Sequence, residues 1–355
     1  MKKSSIIGVL ILCFAFWGKA QVRNEIRVPD PEGYRTLKCD FHIHTVFSDG
    51  LVWPTVRVDE AYREGLDAIA LTEHLEYRPH RQDIIASHNR SYEIAEKTAR
   101  NNQVILIRGS EITRPMAPGH FNAIFLSDCD ALEQKEYMDS FKAARRQNHP
   151  GWDRQQPDTT LWWNEHTRLY EEGYMQGIEV ANGKKYSPEA QRWCMEKKLP
   201  MIGTSDIHQP IQTDIDFARG QHRTMTFVFV RERSAEGIRE ALLHRRTAVY
   251  MDEKVIAEEQ WLKELFEKSI DIEDIKRNEK SIVITLKNNS DLTFHLKKTR
   301  HNPGLVYFRE YTIQPQCRHR IEIRLENNIQ GGDINFEITN LYAAPNKGLT
   351  YSYKV

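Results

Sequence analysis

Cysteine is scarce, and none of it is spaced for metal or redox work. The five residues Cys13, Cys39, Cys129, Cys194 and Cys317 are far apart and form no CxxC pair, which argues against thiolate zinc ribbons and dithiol exchange. An excess of charge is also missing: 50 basic and 50 acidic residues give a net charge of +0. No basic stretch interleaves with aromatic residues, so bulk electrostatics offer nucleic acid no footprint. The apolar run from Ile6 to Trp17 is too short to span a bilayer comfortably. Internal repeats and low-complexity segments are lacking, which sets aside solenoid and disordered architectures.

The N-terminus has secretory form. Lys2 and Lys3 precede the apolar run, and the small residues Gly18 and Ala20 predict cleavage before Gln21. Residues 1–20 are therefore expected to be a signal peptide, and the protein to be periplasmic or secreted. No cysteine stands at the cleavage point, so neither a lipoprotein anchor nor any stable membrane anchor is expected. Without Lys2, Lys3 and Lys19 the chain carries 47 basic and 50 acidic residues, a net −3. An oxidising compartment permits a disulfide among the four remaining cysteines, and free buried thiols fit equally well.

The 355 residues, with 40% hydrophobic and 28% charged content, suit a globular protein of one large and one small domain. From Arg35 onward strands alternate with helices. Strands are expected at Arg35 to Ile43, Leu66 to Leu71, Val104 to Ile107, Ala123 to Leu126, Gly177 to Val180, Met201 to Gly203 and Thr224 to Val230. Helices are expected from Pro54 to Glu64, Asp83 to Asn101, 131 to 145, Ser187 to Lys198 and Ser234 to His244. This alternation predicts an α/β fold with a parallel sheet or barrel over residues 21–255. A charged amphipathic helix from Glu258 to Ile275 is expected to serve as a linker over residues 256–279. Strand-like runs follow, with Ile321, Ile323 and Leu325 alternating with Glu322 and Arg324. They predict a small antiparallel β-sandwich over residues 280–355. That region holds no candidate ligand, so truncation after the linker helix is expected to preserve metal binding and turnover if the barrel stays soluble, which depends on whether Trp261, Leu262 and Phe266 dock into the removed part.

Nine potential metal ligands fall at predicted strand ends or in the loops just after them. They are His42 and His44 in Asp-Phe-His-Ile-His-Thr, Asp49 in Ser-Asp-Gly, His74 in Thr-Glu-His, and Glu111 in Gly-Ser-Glu. His120 in Gly-His-Phe-Asn, His149 in Asn-His-Pro-Gly, and Asp206 and His208 in Ser-Asp-Ile-His complete the set. His42 and His44 are two apart on a strand, so both rings project from one face and can share an ion. A charged group ending an apolar strand is costly unless it is paired or coordinated. Active groups of α/β barrels gather at this carboxyl end. All nine are N or O donors, which suits divalent zinc first and manganese or iron next. Arg114, Lys184 and Lys185 lie in loops after strands, where a cation could hold a phosphate oxygen. Trp53, Tyr77 and Trp152 flank ligand motifs and could line a pocket.

The order of these motifs resembles the polymerase-and-histidinol-phosphatase (PHP) superfamily over roughly Arg35 to Tyr250. Length, export signal and appended β region are similar to its secreted phosphodiesterase-like members, the Sb-PDE-type group. The resemblance implies a distorted (β/α)7 barrel with three divalent metal ions. His42, His44, Glu111 and Asp206 would hold the first. Glu111 would bridge to a second held by His120 and His149. Asp49, His74 and His208 would hold the third. It also implies hydrolysis of a small-molecule phosphate ester, with Glu111, Asp206 and His208 as the catalytic candidates and Asp206 or His208 as the proton carrier. A phosphomonoesterase, a metallohydrolase of another bond and a non-catalytic glycan-binding module remain alternatives.

Overall fold

The computed structural model describes residues 22–85, 87–130, 146–152, 154–156 and 160–355. The expected signal peptide and the expected helix at 131–145 lie outside the described residues. The strands of the first part are β1 (Arg35–Asp40), β2 (Ala68–His74), β3 (Ile105–Ile112), β4 (Phe121–Ile124), β5 (Arg146–Gln147), β6 (Ile178–Asn182), β7 (Lys185–Tyr186), β8 (Met201–Thr204), β9 (Met225–Val230), β10 (Thr247–Met251) and β11 (Lys254–Ala257). β2 and β9 are buried at every position, as strands covered on both faces must be.

β1, β2 and β3 run parallel, β4 is antiparallel to both β3 and β5, and β5, β6 and β8 are again parallel. The ring closes beyond the strand ends. Ile43 and Ile207 form a parallel bridge, with Asp206 N donating to His42 O at 3.0 Å and His44 N to Ile207 O at 3.1 Å. This seam lays the two ligand-bearing extensions side by side. Behind it, Thr226 Oγ1 donates to the Gly203 carbonyl at 2.7 Å and accepts from Gly203 N at 2.9 Å, stitching β8 to β9. Gly203 must be glycine here, because a Cβ would sit 2.3 Å from Val249 Cγ1.

Helices cover the outside, each with a sequence reason for its start. Pro54 occupies the first turn of Pro54–Arg63, where a missing N–H costs nothing. Ser187 and Ser234 cap Pro188–Lys197 and Ala235–Leu243 through side-chain bonds to Ala190 N and Gly237 N. The expected helix from Asp83 is shorter, Arg90–Asn101.

The C-terminal part corrects two expectations. The helix expected to reach Ile275 is Glu259–Ser269, and β12 (Ile270–Arg277) follows it directly. The amphipathic stripe of Trp261, Leu262, Leu265 and Phe266 ends at Ser269, and the residues after it pair with β13 (Ser281–Asn288), with a bulge between Ile272 and Asp274. The remaining strands are β14 (Phe294–Lys298), β15 (Leu305–Val306), β16 (Glu310–Ile313), β17 (Arg318–Leu325), β18 (Asp333–Ala344) and β19 (Lys347–Lys354). A sheet ordered β12-β13-β17-β15 faces one built from β16, β14, β18 and β19. This is the expected sandwich.

The sandwich is not a separate body. β18 pairs in parallel with β11, Val255 to Leu341 and Ile256 to Tyr342, so one sheet runs from barrel to tail. One apolar cluster joins Phe227, Phe229 and Val255 of the barrel to Trp261, Leu262 and Phe266 of the helix and to Ile284, Phe294, Phe336 and Ile338 of the tail. Trp261, Leu262 and Phe266 thus dock into the tail, and its removal would leave their apolar faces exposed. Cys39, Cys129 and Cys194 are buried and unpaired, and Cys317 is exposed. No helix among the described residues is long and apolar enough to cross a membrane.

Candidate metal centre

All nine candidate ligands converge at the carboxyl end of the barrel. His74 ends β2 and Glu111 lies within β3 rather than beyond it. Their ligand atoms fall into three groups, each with its atoms within 4.8 Å of one another: His44, Asp49, His74 and His208; His42, His44 and Asp206; and Glu111, His120 and His149.

Glu111 is the hub. Its Oε2 lies 3.4 Å from both His42 Nε2 and His44 Nε2 and 2.8 Å from His74 Nδ1. Its Oε1 lies 2.9 Å from His120 Nδ1 and 3.5 Å from His149 Nε2. Asp206 Oδ1 is 3.2 Å from Nε2 of both His42 and His44. Asp49 Oδ1 is 3.4 Å from His74 Nε2 and 3.1 Å from His208 Nε2. Asp206 adopts a left-handed φ of 52°, uncommon for a residue with a side chain and concentrated at functional sites.

The donor set fits divalent cations. His42 Nε2 and His44 Nε2 face each other at 3.0 Å. Buried Asp49 Oδ1 and Glu111 Oε2 make no hydrogen bond despite the imidazoles around them. Buried polar atoms without partners are rare in native structures, and here they point at a common centre of N and O donors with no thiolate.

Without cations the cluster balances itself through protons. Burial disfavours charge on His42, yet Asp206, Glu179 and Glu111 hold it well above its ordinary value. Burial, then His74 and His208, push His44 down to about 3. His74 is raised to about 10, because Glu111 and Asp49 outweigh its burial. Burial would raise Glu111 and Asp206, but the histidines hold both well below the usual carboxylate range.

A second ring of side chains holds the ligands in place, and composition alone did not reveal it. Glu179 Oε1 meets His42 Nδ1 at 2.9 Å, and its Oε2 accepts from His149 N at 2.9 Å. Its sequence signal was a carboxylate inside the apolar run Gly177 to Val180. Fully buried Arg57 donates to the carbonyls of His44, Ile207, His208 and Gln209 at 2.8–3.1 Å and to Glu60 at 2.8 Å. It thus clamps the loops after β1 and β8 together. Glu73, between Thr72 and His74, is no ligand: it accepts from Thr45 Oγ1 at 2.5 Å and Ser48 Oγ at 2.7 Å, shaping the loop to Asp49. Gly50 closes that loop, since a Cβ would lie 2.6 Å from the His44 carbonyl carbon.

The cluster opens into a cavity of about 670 Å³ walled by Tyr77 and Trp152. The other expected contacts lie elsewhere. Arg114 is paired with Glu76 and does not line the cavity. Trp53 packs on Phe47 at 5.5 Å and is 45% exposed. Lys184 faces a separate cavity beside Arg223 and Asp252, and Lys185 a small one next to Glu179. Loop side chains take their direction from local turns, which strand periodicity does not predict. Among the described lining residues the permanent cation is Arg154, unexpected from sequence, with its guanidinium 5.7 Å from the Trp152 ring centre.

Residues 269–354 match the profile of an Ig-like domain family. No curated protein matches the chain. Among solved structures, a two-domain protein from Bacteroides vulgatus containing a predicted PHP-like metal-dependent phosphoesterase is 60% identical, over 95% of this chain and 100% of that one, with a TM-score of 0.93. A protein described as a candidate metal-dependent phosphoesterase from Bifidobacterium adolescentis is 15% identical over 48% of this chain and 87% of its own, with a TM-score of 0.35. An amidohydrolase from Chromobacterium violaceum is 15% identical over 52% of this chain and 90% of its own, also with a TM-score of 0.35.

Proposed function

The chain belongs to the PHP-like metal-dependent phosphoesterases, and from that premise we propose that it hydrolyses small phosphodiesters in preference to monoesters. Three divalent cations, zinc first and manganese or iron next, would be held by the nine-residue cluster, with Glu111 shared between sites. The observation that carries the diester reading is the cavity wall: Tyr77 and Trp152 flank the ligands, and Arg154 is the permanent cation among the described lining residues. A diester carries a single negative charge and presents two organic arms to such walls. A monoester dianion asks for more positive charge than the wall supplies. Reaction on the far side of a membrane would follow from the N-terminal secretory pattern.

Bound there, divalent cations would supply Lewis-acid activation of water and charge neutralisation on phosphate. The protein positions the rest. Glu179 holds His42 by Nδ1 and leaves Nε2 to the cluster. Ser48 Oγ lies 3.2 Å from His44 Nδ1, and Thr113 Oγ1 lies 2.6 Å from His74 Nδ1. His208 is the better placed of the two proton-carrier candidates. Its Nδ1 faces the Asp206 carbonyl at 2.8 Å, which turns Nε2 toward Asp49 and the cavity, and its side chain is the most exposed of the ion-paired ligands at 30%. One nitrogen cannot both coordinate an ion and donate a proton to the leaving oxygen. His208→Asn with full metal content and a lost rate would assign the proton role, whereas loss of an ion would assign coordination.

The test of the function is kcat/KM on bis-p-nitrophenyl phosphate against p-nitrophenyl phosphate after metal reconstitution. A diester preference is expected. A clear monoester preference in fully loaded protein would replace the diester reading with a phosphatase.

A further inference from the structure

We propose that Asn182 is a positioning residue of the metal centre and that the Ig-like domain sets its place through Tyr342, so that a site built on the barrel is braced from outside it. Asn182 is the last residue of β6. Its Nδ2 lies 2.9 Å from Glu179 Oε2 and 3.3 Å from Asp206 Oδ2. One amide group therefore stands between the buried carboxylate of Glu179 and the partly buried one of Asp206, which would otherwise repel each other. Through them it reaches both the Glu179 side chain that holds His42 and the second oxygen of Asp206. Asn182 also lines the cavity.

Beyond Asn182 the chain turns through Gly183, at φ +54°, and returns as β7, pairing Asn182 with Lys185 and Ala181 with Tyr186. The near end of this arm is tied to the barrel, with Gly183 N donating to Thr204 O at 2.9 Å. Its far end is tied to the tail. The Tyr186 ring meets the Tyr342 ring edge-on at 5.4 Å. The Tyr186 hydroxyl bonds the Gln191 side chain, whose Nε2 donates to the Tyr342 carbonyl at 3.0 Å. Tyr342 is the β18 residue that pairs with Ile256 of the barrel. A continuous set of contacts thus runs from the Ig-like domain along β7 to Asn182.

The experiment titrates metal-free full-length protein with Mn²⁺ by calorimetry and measures kcat and KM on bis-p-nitrophenyl phosphate in parallel. Outer-shell partners of metal ligands are worth about 10–100-fold in metal affinity or activity. Asn182→Ala is expected to weaken Mn²⁺ binding within that range and to lower kcat while KM changes less than about threefold. Tyr342→Ala should weaken binding in the same direction but by less, and Tyr342→Phe, which keeps the ring, should match wild type. The double variant Asn182→Ala/Tyr342→Ala should be no worse than Asn182→Ala alone, because the two act along one path. Should Tyr342→Ala fail to fold, Tyr186→Phe removes the hydroxyl contact alone and is expected to show the same dependence on Asn182. Binding by Asn182→Ala within about twofold of wild type would overturn the positioning role. Additive losses, or no loss from folded Tyr342→Ala, would overturn the link to the tail. The inference rests on the cluster being a metal centre, and the outcomes separate the two: wild type taking up no ion defeats that reading, whereas normal wild-type uptake with an unaffected Asn182→Ala defeats the inference alone.

Discussion

The carboxyl end of the barrel and its flank at β9–β11 belong to the same sheet yet are held together by opposite means. At the carboxyl end, His42, His44, His74, Glu73, Glu111 and Glu179 are buried together, and little apolar contact offsets the loss of their hydration. That end depends on mutual charge, on Arg57 and on the cations the donor set fits. On the flank, Phe227, Phe229, Val255, Trp261 and Phe266 merge with the tail in one apolar cluster, which needs no counter-charge. The tail is thus part of the barrel's core, whereas the site is a local concentration of buried charge carried by that frame.

The largest effect should come from breaking the flank. Ending the chain after Ser269 removes β18 from β11 and more than half of the shared apolar cluster, which exposes the β11 edge and the apolar face of the helix Glu259–Ser269. The truncated protein is expected to lack cooperative thermal unfolding or to precipitate. A soluble truncation that melts cooperatively and binds metal would break the comparison.

Next in size is Arg57→Met. The change leaves the buried Glu60 carboxylate without its cation and removes one donor from each of four loop carbonyls, and removing one partner of a buried pair costs about 3–5 kcal/mol. Urea unfolding of the full chain should register that loss, together with weaker metal binding as the β1 and β8 loops part. A loss below about 1 kcal/mol would show that the loops hold without the clamp.

A smaller effect tests the charge balance of the site. His74 is raised from the ordinary 6.5 to about 10 in the metal-free protein. A raised folded-state value stabilises the fold fully below about pH 6.5, and the contribution is lost as pH rises through the folded value. Metal-free wild type should therefore lose Tm between pH 7 and 10, and metal-free His74→Asn should lose less across the same window. Parallel curves would show that His74 carries no excess proton. The smallest effects are expected from Trp53→Ala and Lys184→Ala. Both residues lie off the cavity, so kcat/KM should stay within about threefold of wild type in a diester assay.

Much of this was legible in the sequence, and the exceptions have physical reasons. The convergence of the nine candidates was readable because most stand at or just beyond strand ends in a fixed order of motifs, and the carboxyl ends of strands converge in an α/β barrel. Glu179, Asn182 and Arg57 went unread because each is an ordinary residue until the fold sets a partner beside it. Trp53, Arg114 and Lys184 misled because neither nearness in sequence to a candidate ligand nor a place in a loop after a strand fixes where a side chain points. The end of the helix at Ser269 was missed because its continuation as a strand is set by pairing with β13. The β11–β18 pairing joins residues some 85 positions apart, a distance over which local patterns carry no signal.

The account turns on Glu111 as the shared centre of a multi-cation cluster. The most direct test is elemental analysis of metal content per chain in reconstituted full-length wild type and Glu111→Gln, with folding of both verified by thermal unfolding. About three ions are expected in wild type, in line with the three donor groups, and a loss of about two in the variant, because the carboxylate reaches His42, His44, His120 and His149 together. Fewer than one ion per chain in wild type, or an unchanged count in a folded Glu111→Gln, would contradict it.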